Sequence, residues 1–307
     1  MRILVVGAGS TGGFFGARLA RSGRDVTFLV RPRRAAVLRE RGLRVTGVTE
    51  ELLPAPRLVT ADRLDGPYDL VLLSVKSTAL EEAVAALGPA VGPGTAIVPM
   101  LNGMAHLDVL ERAFGPEPVL GGVAKVVTTL GPEGEIVRMA PLAHLALGER
   151  DGRESARVEE IRTALAGAGV DSPATPDIVA AMWHKWAFIS TMGALTCLVR
   201  GSVGEAVAAP GGAELARAVV AETAAVAAAA GHPLPAAERE ATTAVATQPG
   251  SPLTPSLYRD VLAGAPTEVE HIFGDLTARA RAFGVATPLL DLATLQLRVH
   301  QARAAAV

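Results

Sequence analysis

The first thirty-one residues constrain the fold more than any other stretch of the chain. An apolar run at residues 3–6 breaks into Gly7-Ala8-Gly9-Ser10-Thr11-Gly12, and a second apolar run, at 26–30, ends at Arg31. The order is strand, glycine-rich turn, helix, strand. In that setting a G-x-G-x-x-G turn has a physical reading. Gly7 permits the tight turn, Gly9 lets the backbone approach a pyrophosphate, and Gly12 lets the helix pack close to the strand. The helix N-terminus then offers free N–H groups and a positive dipole end to phosphates. Gly7, Gly9, Ser10, Thr11 and Gly12 are therefore expected to bind a dinucleotide.

The end of the second strand selects among dinucleotides. An NAD site usually places Asp or Glu there to accept from the ribose 2′-hydroxyl, whereas this chain places Arg31, with Arg33 and Arg34 behind it. A guanidinium suits the 2′-phosphate of NADP, to which it makes a charge-assisted and often bidentate contact. NADP(H) is expected over NAD(H). The alternative is a solvated basic helix start in a chain rich in arginine.

The rest of the first half alternates strand and helix patterns. Residues 3–6, 26–30, 70–75 and 96–100 read as strands with helices between them, which predicts a Rossmann-type doubly wound parallel sheet. Further strands are expected at 118–129, 135–139 and 142–148, and a helix at about 154–168. Ser172-Pro173-Ala174-Thr175-Pro176 interrupts the pattern. Beyond it the apolar stripes are helical in period, over 177–200, 212–230, 236–246, 267–283 and 288–305. The expected organisation is an NADP-binding domain over 1–175 and an all-helical substrate and catalytic domain over 176–307.

Composition removes several function classes. A net charge of −2 and 20% charged residues give no basic excess for nucleic acid. No apolar run is long enough to span a membrane, and the apolar start is too short for a signal-peptide core, so a cytoplasmic protein is expected. The single cysteine, Cys197, excludes an intrachain disulfide and fits a reducing compartment. The six histidines lack metal-ligand spacing, and no metal is expected. The alanine-rich helices suit an intrachain core or a homodimer interface equally.

A bias points to candidate chemistry. Of 29 basic residues only three are lysine, Lys76, Lys125 and Lys185, and Asn102 is the one asparagine. Positions that keep these residue types are candidates for needing them. Lys76 follows a strand at the carboxyl edge of the sheet, where an ammonium reaches ribose or substrate oxygens, or is simply exposed. Asn102 follows the next strand, and its amide both donates and accepts; Asn-Gly is equally a turn pair. Lys185 lies in an apolar helix between Trp183 and Trp186. Burial there would disfavour its ammonium and make it a better proton donor, unless the side chain reaches out to water. Glu268 opens a helix after Pro266-Thr267, where a capping role is also open, and Ser256 stands twelve residues earlier.

In order along the chain, the glycine fingerprint, Ser74-Val75-Lys76, Asn102-Gly103-Met104, Trp183-His184-Lys185, Ser256-Leu257-Tyr258-Arg259-Asp260 and Pro266-Thr267-Glu268 resemble the ketopantoate reductase (2-dehydropantoate 2-reductase) family over essentially the whole chain. The resemblance implies hydride delivery from NADPH to C2 of a 2-oxo acid, most simply ketopantoate to pantoate on the way to pantothenate and coenzyme A. It implies that Lys185 donates the proton, that Glu268 orients Lys185 and accepts from a substrate hydroxyl, and that Ser256 helps bind the carboxylate. Asn102 and Lys76 would line the nicotinamide, ribose and substrate oxygens. Well-known members carry amide side chains four and eight residues after the lysine, where this chain has Ile189 and Gly193. That departure favours a different branched or bulkier 2-oxo acid as the alternative substrate. A non-catalytic NADP-binding redox sensor is the alternative of another class; the retained Lys185 and Glu268 argue against it.

Overall fold

The computed structural model describes residues 1–173 and 175–305. The interruption read at 172–176 and the end of the second domain thus include residues outside that description, Ala174, Ala306 and Val307. Contacts divide the chain into two compact units, residues 1–101 with 106–179, and residues 102–105 with 180 onward.

Up to residue 179 the chain runs β1 (Arg2–Val6), α1 (Ser10–Arg21), β2 (Asp25–Leu29), α2 (Pro32–Arg41), β3 (Leu43–Gly47), β4 (Glu51–Leu53), β5 (Arg57–Val59), β6 (Leu70–Leu73), α3 (Leu80–Ala86), β7 (Ala96–Pro99), α4 (Ala105–Phe114), β8 (Gly121–Leu130), β9 (Ile136–Gly148) and α5 (Ala156–Ala166). Among the described residues, one sheet is parallel throughout, in the order β5-β2-β1-β6-β7. The chain enters at its centre, winds out to β2 and β5, then returns to the other side of β1. Residues 3–6 of β1 are buried and apolar on both faces, as a strand covered on both sides requires. Val6 pairs with both Leu29 and Leu73, so β1, β2 and β6 end level. The winding reverses between β1 and β6, and the carboxyl edge at such a reversal is where open α/β sheets bind ligands.

A second, mixed sheet has the order β4-β3-β9-β8. Two sequence expectations are corrected here. The strands expected at 135–139 and 142–148 are one 13-residue strand, β9, whose middle lies opposite a register shift between Val126 and Thr128 of β8. The stretch between α2 and β6 holds three short strands, β3, β4 and β5, and no long helix. Phe14, Phe15, Phe28, Leu72, Val98 and Leu145 are fully buried in the unit's core. Small residues let α1 sit close: a Cβ at Gly16 would lie 2.4 Å from Phe28, and one at Gly13 2.6 Å from Ile136 of β9.

The chain continues through α6 (Ile178–Val199), α7 (Val203–Ala208), α8 (Gly212–Ala229), α9 (Ala236–Ala246), α10 (Ser256–Leu262), α11 (Asp275–Ala282) and α12 (Pro288–Ala304), with no strand among the described residues. Ser202 and Glu205 form a capping box that starts α7. Met192, Leu195, Val203, Ala216, Val220 and Ala246 form a core. Two buried hydroxyls on α6 are satisfied locally: Thr191 donates to the Ala187 carbonyl at 2.9 Å and Thr196 to that of Met192 at 2.7 Å. The helix expected over 267–283 starts at Val269 and contains a π turn, Glu270–Gly274, before α11. Among the described residues no helix is long and apolar enough to cross a membrane.

Candidate active site

The glycine-rich turn is shaped by contact with Ser74, the residue after β6. Gly7 has φ +92°, a conformation open to glycine, and a Cβ there would lie 2.5 Å from the Ser74 carbonyl oxygen. A Cβ at Gly12 would lie 2.3 Å from the Gly7 carbonyl and 2.8 Å from Ser74 Cβ. At Gly9, by contrast, a Cβ would meet nothing within 4 Å. The turn is thus pressed against the sheet on one side and open at Gly9 on the other, the form a backbone cradle for a pyrophosphate requires. Gly9 is the N-cap of the 12-residue α1, with Ser10 and Thr11 in the first turn and no capping side chain from the N-cap residue. The chain fits a dinucleotide at this edge.

Arg31 and Lys76 stand at the same carboxyl edge. Arg31 is the N-cap of α2, exposed, and paired with Glu82 of α3. Lys76 is exposed, in extended backbone two residues beyond Ser74. Arg33 is exposed too, whereas Arg34 has turned inward. Its Nε donates to the Ala8 carbonyl at 3.0 Å and its Nη1 to the Gly134 carbonyl at 2.7 Å. Burial pulls its pKa below the usual guanidinium value. Arg34 thus braces the glycine turn from behind.

The second group of residues surrounds α6. Lys185 is half-buried, and its neighbours Trp183 and Trp186 pack with ring centroids 4.9 Å apart. The Trp186 indole N–H donates to the Ile272 carbonyl at 2.9 Å, which ties α6 to the π turn. One and two helical turns on, the Lys185 face continues with half-buried Ile189 and buried Gly193. A Cβ at Gly193 would lie 3.2 Å from both Leu257 and Phe273. Leu257 follows Ser256, the exposed first residue of α10, and Phe273 lies in the π turn that follows Glu268. The helix that carries Lys185 is therefore seated on the elements that carry Ser256 and Glu268.

Glu268 is half-buried at the start of its helix, where its carbonyl accepts from the Ile272 N–H at 3.0 Å. Thr267 directs its N–H and hydroxyl to Gln301 Oε1 of α12, at 2.7 and 3.2 Å, which anchors the residue before Glu268. Half-buried Asn102 precedes Gly103, a turn glycine with φ +74° whose Cβ would lie 2.7 Å from the His271 carbonyl. His271 hydrogen-bonds the Asn102 backbone and feels the Glu268 carboxylate. Asn102 and Glu268 are thus gathered around one imidazole. Sequence reasoning missed His271 and Glu82, and placed Arg34 only in the basic cluster behind Arg31. His271 had a legible signal, since it falls three residues after Glu268 on the same helical face; the partners of Arg34 and Glu82 are set by tertiary contacts alone.

A profile described as "Ketopantoate reductase PanE/ApbA" matches residues 3–152, and one described as "Ketopantoate reductase PanE/ApbA C terminal" matches 177–301. An uncharacterized oxidoreductase, YkpB of Bacillus subtilis, is 30% identical over 302 residues, 98% of this chain and 99% of its own. The crystal structure of 2-dehydropantoate 2-reductase from Geobacter metallireducens GS-15 superposes with a TM-score of 0.88 at 30% identity, over 97% of this chain and 99% of that one. The ternary structure of D-mandelate dehydrogenase with NADH and anilino(oxo)acetate superposes with a TM-score of 0.89 over 99% of this chain and 100% of that one; at 22% identity the likeness is one of fold.

Proposed function

This chain belongs to the ketopantoate reductase family, an oxidoreductase family of small 2-oxo acids, and from that premise we propose that it reduces the C2 carbonyl of a 2-oxo acid to a 2-hydroxy acid with NADPH. The most economical substrate is 2-dehydropantoate, which would place the chain in pantothenate and coenzyme A synthesis. The observation that carries the reading is the seating of Gly193, two turns along the Lys185 face, on Leu257 and Phe273, which belong to the elements that carry Ser256 and follow Glu268.

The division of labour follows from the residue chemistry. Residues 1–175 hold the dinucleotide: Gly7, Gly9, Ser10, Thr11 and Gly12 at the pyrophosphate, Arg31 at the 2′-phosphate, and Lys76 and Asn102 toward ribose, nicotinamide and substrate oxygens. NADPH, when bound, supplies the hydride. The Lys185 ammonium gives a proton to the substrate O2 as negative charge develops there, and takes one back from solvent afterwards. Glu268 orients that ammonium and accepts from a substrate hydroxyl. Ser256 donates to the carboxylate. Holding these groups on packed helices removes the entropy cost of assembling them at each turnover.

A second substrate reading has its own observation. On the Lys185 face, Ile189 and the Gly193 position, which is covered by Leu257 and Phe273, offer no hydrogen-bond group to a distal hydroxyl. An apolar wall discriminates weakly against a hydroxyl and favours a branched or bulkier apolar 2-oxo acid. Steady-state NADPH oxidation with ketopantoate beside a panel of unbranched, branched and aromatic 2-oxo acids decides between them, with Lys185→Ala as the blank. Preference for ketopantoate supports the pantoate assignment, and preference for an apolar acid keeps the chemistry and changes the substrate. No turnover above the blank would overturn the catalytic reading.

A further inference from the structure

The π turn that follows Glu268 carries a histidine that no role above accounts for. A π turn inserts one residue into a helix, re-aims the side chains on either side of it, and recurs at functional sites. Here it spans Glu270–Gly274, with His271 as its second residue. Three contacts hold it. Trp186 of α6 donates to the Ile272 carbonyl at 2.9 Å. Glu270 takes a two-pronged bond from Arg298 of α12, at 2.7 Å on each oxygen. The Asn102–Gly103 turn lies directly on His271: a Cβ at Gly103 would lie 2.7 Å from the His271 carbonyl oxygen and 3.4 and 3.6 Å from Cδ2 and Nε2 of its ring.

The imidazole is thus enclosed by groups the proposed reaction uses. Its ring N–H donates to the Asn102 backbone, the Glu268 carboxylate lies within electrostatic reach, and Asp275 adds a second, weaker negative field. Burial nonetheless outweighs these and lowers the His271 pKa, which favours the neutral ring. A neutral imidazole bonded to main chain is a spacer with one directed donor, and it adds no competing charge beside Glu268.

We infer that His271 is a positioning residue: its imidazole fixes the Asn102–Gly103 turn relative to Glu268, so that the Asn102 amide and the Glu268 carboxylate meet the substrate as one preset pair. The inference rests on the proposed roles of Asn102 and Glu268. Its own content is that an atom-for-atom hydrogen bond from residue 271, and not bulk at that position, sets their geometry.

The test compares His271→Asn, whose side-chain N–H takes the place of the imidazole Nδ1–H and can still donate to the Asn102 backbone, with His271→Phe, which keeps the ring volume and has no donor. NADPH oxidation is measured with the 2-oxo acid that wild type turns over best, together with NADPH Kd and Tm. His271→Phe is expected to lower kcat/KM by about 10-fold or more, mainly through KM for the 2-oxo acid, with NADPH Kd within about 2-fold. His271→Asn is expected to recover most of that loss. In an Asn102→Ala background the His271→Phe effect should largely vanish, because the side chain it positions is gone. Equal losses in the Asn and Phe variants, wild-type kinetics in His271→Phe, or full additivity with Asn102→Ala would each overturn the inference. A Lys185→Ala enzyme as active as wild type would instead overturn the catalytic reading on which it rests, so the two failures are distinguishable.

Discussion

Arg31, at the start of α2, is ion-paired with Glu82 of α3 at the carboxyl edge of the parallel sheet. Both side chains are more than half exposed, at 64% and 70%, so the pair contributes roughly 0–1 kcal/mol and opens readily. The residue proposed to meet a 2′-phosphate therefore already has a carboxylate competitor within reach.

That competition sets the cofactor prediction. Arg31→Ala should weaken NADPH binding by about 10-fold or more, the scale of a lost charge-assisted contact, and NADH binding much less. Glu82→Gln should act in the opposite sense and strengthen NADPH a few-fold while leaving NADH nearly unchanged. Fluorescence titration with both nucleotides reads the outcome. Equal weakening of both by Arg31→Ala would remove the 2′-phosphate assignment.

Arg34 tests the other half of the same basic cluster. Its bonds to the carbonyls of Ala8 and Gly134 fasten the glycine turn to the β8–β9 connection, so its loss should loosen the turn without touching the 2′ position. Arg34→Met is expected to weaken NADH and NADPH by the same factor and to lower stability by about 1–3 kcal/mol, since the carbonyls of buried Ala8 and half-buried Gly134 lose a donor. Thermal unfolding beside the two titrations checks this. A selective loss of NADPH would show that Arg34 reads the phosphate after all.

Much of this arrangement was legible in the sequence, for identifiable reasons. Gly7 to Gly12 after an apolar strand, and Lys76 and Asn102 after later strands, are local signals, because strand ends and turns follow from neighbouring residues. The parallel sheet and the helical second half follow from periodicity in the same way. Other elements depend on distant partners. Strand β3 pairs with β9, some ninety residues away, and β4 is three part-exposed residues long, so neither has a strong local pattern. Residues 135–139 and 142–148 read as two strands, yet Pro141 between them lies opposite the β8 irregularity, where the ladder makes no demand on its missing N–H. The π turn is similarly invisible: residues 267–283 are helical in period with or without the extra residue, and Trp186, Arg298 and the Asn102–Gly103 turn hold the bulge in place.

Lys185 carries the chemical prediction. Lys185→Ala should lower kcat by about 10²-fold or more, the usual scale for a positioned general acid, with NADPH Kd nearly unchanged. Lys185→Arg keeps the charge but cannot release a proton at neutral pH, so it should be as impaired in kcat as the alanine variant. An arginine variant with wild-type turnover would mean that the position supplies charge alone.

Stability in acid should depend on one buried carboxylate, that of Glu149. Glu149, at the end of β9, is 4% exposed and receives Arg157 Nε and Nη2 of α5 on its two oxygens, each at 2.7 Å. These bonds, with help from Ser155 and against the cost of burial, hold its pKa below the ordinary glutamate value. The folded chain thus binds this proton less tightly than the unfolded chain. The stabilisation is complete above about pH 5 and is lost as pH falls below about 4, through the depressed folded-state value. Arg157→Met leaves the buried carboxylate with only the looser Arg153 pair at 3.7 Å and should cost about 3 kcal/mol at neutral pH, whereas Glu149→Gln should cost less. Denaturant unfolding from pH 7 to pH 3 should show the Arg157→Met deficit narrowing as acid neutralises Glu149. A deficit independent of pH would mean that Arg157 contributes packing and its bond to the Glu117 carbonyl, and not charge pairing.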